Sequence, residues 1–250
     1  MSLQTREANY LVPLYLYASE QEVRSGLYAA DERRPNLAPN FIQQIETRVG
    51  LTFSPDGPGN LTSSFGPEDI FNYIYAILHA SEYRHRYAEF LRSSFPRVPL
   101  TSDLDLFRSL IGLGEELTSL HLMESPALDT AITSFPIPGE YLVEPGHPLF
   151  LAPGETVTGT EQRIDAGRVY ISKDRTSPST KGQYFDGVPV AVWEFYIGGF
   201  QICHKWLKDR RGQRLTLDDI SHFEKIVVAV NETIRLTSEI DDTIPAFPLE

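Results

Sequence analysis

Residues 190–214 read VAVWEFYIGGFQICHKWLKDRRGQR, and the reading of this stretch decides how the rest of the chain is arranged. It holds both tryptophans, Trp193 and Trp206, the single cysteine, Cys203, a Gly198-Gly199 pair and the densest basic run in the protein. Its first half is aromatic and its second half cationic. That combination suits a helix that starts at Pro189, runs to about Lys208, buries its aromatic end and then offers charge outside the core. Glycine inside a helix costs about 1 kcal/mol against alanine. The expectation is therefore that something packs closely against Gly198-Gly199 or that the helix bends there. Residues 193–206 then read mainly as core, and 205–214 as the candidate outward surface.

On the C-terminal side, Thr216 followed by Asp219 predicts a capped last helix with Ile220, Phe223, Val227, Val230 and Ile234 as its apolar stripe. The tail from Asp241 is acidic and proline-bearing, and is expected to fray. On the N-terminal side, residues 11–17, LVPLYLY, alternate as a strand does, with Pro13 placing it at an edge or at its own start. A charged turn, Arg33-Arg34-Pro35-Asn36, follows. A helix is expected over 39–49, striped by Phe41, Ile42, Ile45 and Val49 and stopped by Gly50. Residues 54–60, SPDGPGN, read as a loop. Gly66-Pro67-Glu68-Asp69 opens another helix, with Phe71, Ile74, Tyr75 and Leu78 at helical spacing. Ser81 is placed as the cap of the next, striped by Tyr83, Tyr87, Phe90 and Leu91 and ended by Pro96 and Pro99. Ser102 with Asp105 predicts the start of a third, carrying Leu104, Phe107, Leu110, Ile111, Leu117 and Leu120. Between 126 and 172, short runs at 141–143, 149–151 and 168–171 read as strands, and 173–182 as an exposed loop.

These elements give an α+β fold: a helical core of about five helices with a small, mostly antiparallel β-sheet region. Residues 1–250 form one domain, with room for two lobes. The first, 1–125, is mainly helical with an N-terminal strand; the second, 126–250, has short strands and then two helices. The formal net charge of -12 is not the usual balance of a nucleic-acid binder, but local distribution decides where a polyanion can land. One cysteine excludes an internal disulfide framework and, with no signal segment or apolar span, points to a cytoplasmic protein. Met1-Ser2-Leu3 running abruptly into TREANYLVPLYLY reads as the start of an excised piece, so a larger parent is expected.

Most motifs that would carry chemistry are missing. There is no GxGxxG, no GxxxxGK[ST], no GxSxG, no HExxH and no Cys-His zinc spacing. Glu82-x-x-His85 is a single copy of a pattern that di-iron bundles need twice, so it reads as a helix-surface pair. Cys203 beside His204 points about 100° away from it on a helix, which favours an inert buried thiol over a nucleophile. Asp218-Asp219 read as first-turn helix charges.

What remains is local positive charge. Residues 193–214 carry Lys205, Lys208, Arg210, Arg211 and Arg214 against Glu194 and Asp209. Residues 82–100 carry Arg84, Arg86, Arg92 and Arg97 against Glu82 and Glu89. Residues 215–250 hold eight acids against Lys225 and Arg235, so the negative charge is concentrated elsewhere. A solvated helix face is the ordinary use of such charges, and phosphate contact is the sharper one. Lys173, Arg175 and Lys181 in the 173–182 loop could reach into a groove. Tyr15, Tyr17, Phe71, Tyr75, Trp193, Phe195 and Tyr196 lie at core spacing and read as core rather than as base-stacking platforms.

Longer blocks carry a resemblance. NYLVPLYLY at 9–17 and RRPNL at 33–37 resemble the start of the C-terminal specificity region of Type ISP restriction-modification enzymes. So do FGPEDIFNYIYAILHASEYRHRYAEFLRSSFPRVPLTSDLDLF at 65–107, GEELTSLHLM after it, GRVYI at 167–171, YFDGVP at 184–189 and residues 192–212. The resemblance covers nearly the whole chain in order, weakly at 54–64 and 124–165, and the 173–182 loop is longer than the family pattern. It implies a target recognition domain that reads a short asymmetric DNA sequence. A nuclease, a RecA-like ATPase, a helical spacer and an adenine-N6 methyltransferase are implied upstream in the same polypeptide.

Neither an S-adenosylmethionine-binding glycine motif nor an NPPY-type tetrapeptide occurs in this chain. The implied role is therefore recognition without catalysis, with no cofactor here and S-adenosylmethionine, ATP and Mg in the parent. The implied partners are duplex DNA and the methyltransferase domain, with no membrane. Two readings compete with this one. A protein-interaction domain docking on the parent enzyme predicts a large exposed apolar patch. An independent enzyme predicts a deep pocket with convergent titratable groups.

Overall fold

In a computed structural model of the chain, residues 11–25, 29, 33–157, 161–173 and 182–249 are described. The fold is α+β, and among the described residues five helices have seven residues or more. The chain divides into two compact units, residues 1–115 with 237–250, and residues 116–236.

In the first unit, β1 (Tyr15–Tyr17) pairs antiparallel with β2 (Arg33–Pro35), and α1 (Glu20–Arg24) lies between them in sequence. The expected charged turn at 33–36 is thus mostly a strand, because Arg33 lies against the Tyr15 ring, 3.9 Å from its centroid, and pairs with Asp56 at 2.6 Å. The strand begins only at Tyr15, two residues after Pro13, which cannot donate to a ladder. Helix α2 (Pro39–Val49) matches expectation, with Gly50 in the left-handed region at φ 72° as its stop. β3 (Thr52–Phe53) and β4 (Ser64–Phe65) pair in parallel across the 54–60 loop.

Helix α3 (Pro67–His79) starts where Asp69 turns back on its own entry. Its carboxylate accepts from the Gly66 and Gly59 backbone N–H groups at 2.7 and 2.6 Å. Its buried face is Ile70, Tyr73, Ala76 and Ile77, not the expected Phe71, Ile74, Tyr75 and Leu78, and Phe71 is exposed. The helix is apolar almost all round, so periodicity allowed either register. Tyr73 takes the buried one because its hydroxyl can donate to the Pro99 carbonyl at 2.8 Å, and its ring packs on Phe107, itself against Phe65.

Past Ala80 the single expected helix is two, α4 (Ser81–Arg86) and α5 (Ala88–Ser93), broken at Tyr87. Ala80, not Ser81, is the N-cap, and the Ser81 N–H donates to Asp241 Oδ1 at 2.7 Å. Phe90 stays exposed. Helix α6 (Leu104–His121) is capped by Asp103, one residue after the expected Ser102. The Asp103 carboxylate accepts from the N–H groups of Asp105 and Leu106 at 2.8 and 3.0 Å. The C-terminal tail does not fray: Ile244 and Phe247 are buried, with the Phe247 ring against Tyr83 and Tyr87.

The second unit is built on a three-stranded antiparallel sheet, β5 (Leu149–Leu151), β6 (Arg168–Tyr170) and β7 (Tyr184–Asp186), in that order. The expected strand at 141–143 instead pairs beside residues 212–215, through a single bridge between Leu142 and Arg214. Then the opening stretch departs from a single helix. α7 (Val190–Trp193) gives way to β8 (Tyr196–Ile197), a turn at Gly198-Gly199, β9 (Phe200–Gln201) and α8 (Ile202–Lys208).

Both glycines have positive φ, 57° and 83°, the requirement of a two-residue hairpin turn. A methyl group at either would meet nothing within 4 Å, so the pair makes a tight turn in open space and not a close packing contact. Helix α9 (Leu217–Thr243) starts with the expected capping box. The Asp219 N–H donates to Thr216 Oγ1 at 3.0 Å and the Thr216 N–H to Asp219 Oδ2 at 2.9 Å. Ile220, Phe223, Val227 and Val230 from this helix, with Val169, Phe185, Val192, Trp193, Cys203 and Leu207, form one core.

Candidate nucleic-acid interface

Helix α8 and the turn after it place the cations of residues 205–214, and each has a different environment. Lys205 pairs with Asp209 and holds its ammonium 5.6 Å from the Phe200 ring centroid. Lys208 is exposed, and among the described residues its ammonium makes no ion pair or hydrogen bond. Arg210 is turned inward: its guanidinium lies 3.5 Å from the Trp206 ring centroid, Nη1 donates to the Trp206 carbonyl at 3.1 Å, and Nε stands 3.5 Å from Asp219 Oδ1. Arg211 donates through Nε to the His147 carbonyl, and Arg214 faces Glu140 at 3.4 Å, both with exposed side chains.

The turn at 144–147 brings Lys173 and Arg211 to one place. The Lys173 N–H donates to Glu144 Oε2 at 2.6 Å, the His147 N–H closes the turn onto the Glu144 carbonyl at 3.1 Å, and Arg211 holds the His147 carbonyl. Arg175 and Lys181 lie outside the described residues. The cationic face of this unit is therefore Lys205, Lys208, Arg211, Arg214 and Lys173, with Arg210 committed to packing. Its acidic neighbours are Glu140, Glu144 and Asp209.

The other four cations lie in the first unit. Arg84 and Arg86 are exposed on α4, while Arg92 on α5 pairs with Glu89 at 2.9 Å. The break at Tyr87 puts them on separate helices instead of one face. Arg97 is exposed, and its carbonyl accepts from the Tyr83 hydroxyl at 2.8 Å. Arg86 shares a cleft with Glu82, His85 and Asp241. The acidic tail thus sits against this patch and weakens its field. Among the predicted cations, those of the second unit are the better placed for a polyanion.

Sequence reasoning missed three side chains. Tyr196, Ile197 and Phe200 on the hairpin are 61%, 52% and 57% exposed, although residues 193–206 read as core. Tyr17 and Phe71 are likewise exposed, whereas Trp193 is buried with its ring stacked 5.2 Å from Phe150. The signal that could have found the hairpin is Gly198-Gly199 flanked directly by Ile197 and Phe200, a two-residue turn signature.

The remaining candidates for chemistry are closed. Cys203 is fully buried, and burial pushes its thiol up to about 12, so it stays protonated and inert. His204 stacks edge-on to Trp193 and is held below the usual imidazole range, first by burial and then by Lys208 and Arg211. Among the described residues no three His, Cys, Asp or Glu side chains are grouped to hold a metal ion, and no helix is long and apolar enough to cross a membrane.

Among solved structures, the chain is similar to the ATP-dependent Type ISP restriction-modification enzyme LlaBIII bound to DNA. The identity is 16% over 95% of this chain, with a TM-score of 0.56. It is also similar to DrdV in a DrdV–DNA complex, at 20% identity over 94% of this chain and a TM-score of 0.56. At these identities the likeness is one of fold. The chain spans 14% and 21% of the length of those two proteins. No curated protein matches. The family model of the Type ISP C-terminal specificity domain matches residues 1–239, and the chain belongs to that family.

Proposed function

We propose that this chain is the DNA target recognition module of a single-chain restriction-modification enzyme, with no catalysis of its own. In that reading it positions duplex DNA for an adenine-N6 methyltransferase in the same polypeptide, whose other regions bind S-adenosylmethionine, ATP and Mg. The observation that supports it is the row of exposed Lys208, Arg211 and Arg214 beside half-buried Lys205, in a chain of net charge -12 whose C-terminal helix holds many of the acids. Such cations displace counterions from phosphates and fix a protein's register on the duplex, leaving sequence to be read from groove edges. The test is methylation mapping of DNA from cells expressing the full-length parent, with and without the 173–182 loop and residues 205–214 exchanged for those of a relative. A changed methylated motif is expected; an unchanged motif at full activity would sink the assignment.

A specific observation favours a second contact. In the first unit, Phe90 and Phe95 are 64% and 70% exposed beside a cavity of about 360 Å³ lined also by Tyr83, Tyr87 and Leu91. Large exposed rings around a cavity mark a protein-docking surface, and docking on the parent enzyme is compatible with DNA reading elsewhere.

A further inference from the structure

The β8–β9 hairpin leaves three large apolar side chains in water within five residues, Tyr196, Ile197 and Phe200. Apolar surface gathered at one point marks a contact site and not chance exposure. The hairpin is a thin blade. Its tip is Gly198-Gly199, with nothing within 4 Å of either Cβ position, so the backbone turns without side-chain bulk. Across the ribbon Ile197 faces Phe200 and Tyr196 faces Gln201, so successive side chains put a ring or an aliphatic group on both faces. The root is fixed: Gln201 Nε2 donates to the Trp193 carbonyl, the Ile202 N–H donates to the Phe195 carbonyl at 3.3 Å, and Trp193 is buried in the core. Charge at the blade's edge then selects a partner. Lys205 reaches over the Phe200 ring, Lys208 follows one turn along α8, and Arg211 lies just beyond. The acids nearby in sequence are Glu194, which is exposed, and Asp209, which Lys205 engages.

We propose that this hairpin is an apolar wedge inserted between stacked base pairs of duplex DNA, with Lys205 and Lys208 seated on the phosphates beside the opened step. This rests on the DNA-binding reading above and adds how the duplex is deformed. A protruding apolar tip bordered by cations matches a polymer with anionic edges and an apolar stack inside. Apolar wedges unstack a base step and kink the duplex, which lets more protein surface reach it. Selectivity then includes how easily a sequence opens at that step, beyond the base edges touched.

The test uses the full 250-residue chain. A duplex is first enriched from a random-sequence pool by the chain itself, then remade with a fluorescent adenine analogue at each step in turn. Fluorescence is expected to rise at one step as stacking is lost. The double variant Tyr196→Ser/Phe200→Ser is expected to bind about tenfold or more weakly, lose the rise and keep the salt slope. Phe200→Leu keeps an apolar wedge and retains the rise, which separates wedging from misfolding. Lys208→Ala keeps the rise and lowers the salt slope by about 0.9. A double variant that binds and fluoresces like the unaltered chain overturns the proposal. So does one that binds DNA normally but no longer associates with the rest of the parent enzyme, which would make the hairpin a protein contact. If the unaltered chain enriches no duplex even at low salt, the DNA-binding reading itself fails.

Discussion

The Arg210 guanidinium lies over the Trp206 ring, 3.5 Å from its centroid, while its Nε stands 3.5 Å from Asp219 Oδ1. A residue from the most basic run of the chain thereby joins α8 to the first turn of α9. Arg210→Ala is expected to cost about 1–2 kcal/mol of stability, because the ring contact and the partly screened ion pair go together. Arg210→Lys should recover only part, since an ammonium cannot reproduce the planar stack. Denaturant unfolding measures the loss. Arg210→Ala should leave the salt slope of DNA binding unchanged, and a slope that fell as it does for Lys208→Ala would put Arg210 on the phosphates after all.

The hairpin turn gives a sharper test of the fold. Gly198 and Gly199 both need positive φ, which costs other L residues about 1–2 kcal/mol. Gly198→Asn should be nearly neutral, since asparagine tolerates that region and Asn-Gly favours this turn. Gly199→Val should disrupt the β8–β9 pairing. Amide exchange at Phe200 and Ile202, whose N–H groups lie on the hydrogen-bonded pairs of the ribbon, would show it; equal protection in both variants would argue for a different turn.

Asp69 is buried, and its carboxylate accepts from the Gly59 and Gly66 N–H groups. Burial raises its pKa, and the two N–H donors only partly oppose that. Asp69→Ala strands both donors and should cost about 2–4 kcal/mol. Asp69→Asn keeps an acceptor and should cost less. Because the folded pKa lies above the unfolded one, Asp69 contributes most below the ordinary Asp range. That contribution is lost as pH rises through the folded pKa. Comparing the pH dependence of stability in the parent chain and Asp69→Asn checks the sign.

His204 links the cationic face to pH. Burial, then Lys208 and Arg211, hold its imidazole below the usual range. For folding, the depressed pKa means a contribution fully present above the unfolded value and lost as pH falls through the folded one. Phosphates seated at Lys208 and Arg211 would offset their repulsion and raise the pKa, so DNA binding should take up a proton. Affinity is expected to rise as pH falls below the ordinary imidazole range, where His204 takes up its proton, and the rise should vanish in His204→Gln. Titrations at fixed salt decide; an identical pH profile in His204→Gln would remove His204 from the linkage.

The sequence by itself determined the elements whose signals are local. Helix 39–49 with its Gly50 stop, the Thr216–Asp219 capping box and the stripe of α9 follow from residues a few positions apart, and the structure keeps them. It also carried the family, through blocks long enough to be specific. Tertiary structure decided what local chemistry left balanced. α3 is apolar on most sides, and only a partner for the Tyr73 hydroxyl chose its buried face. Two apolar residues of the acidic tail, Ile244 and Phe247, are buried, and their burial held it in place. Residues 190–208 fit a helix by periodicity and a hairpin by their Gly-Gly pair, two periods that the sequence alone could not rank. Positive φ at both glycines settled it, turning a supposed core segment into an exposed apolar blade. The cations of residues 205–214 were legible as charges, but their division was not. Arg210 went to a tryptophan and Lys208 to solvent because packing, not charge, determines which guanidinium or ammonium finds a partner.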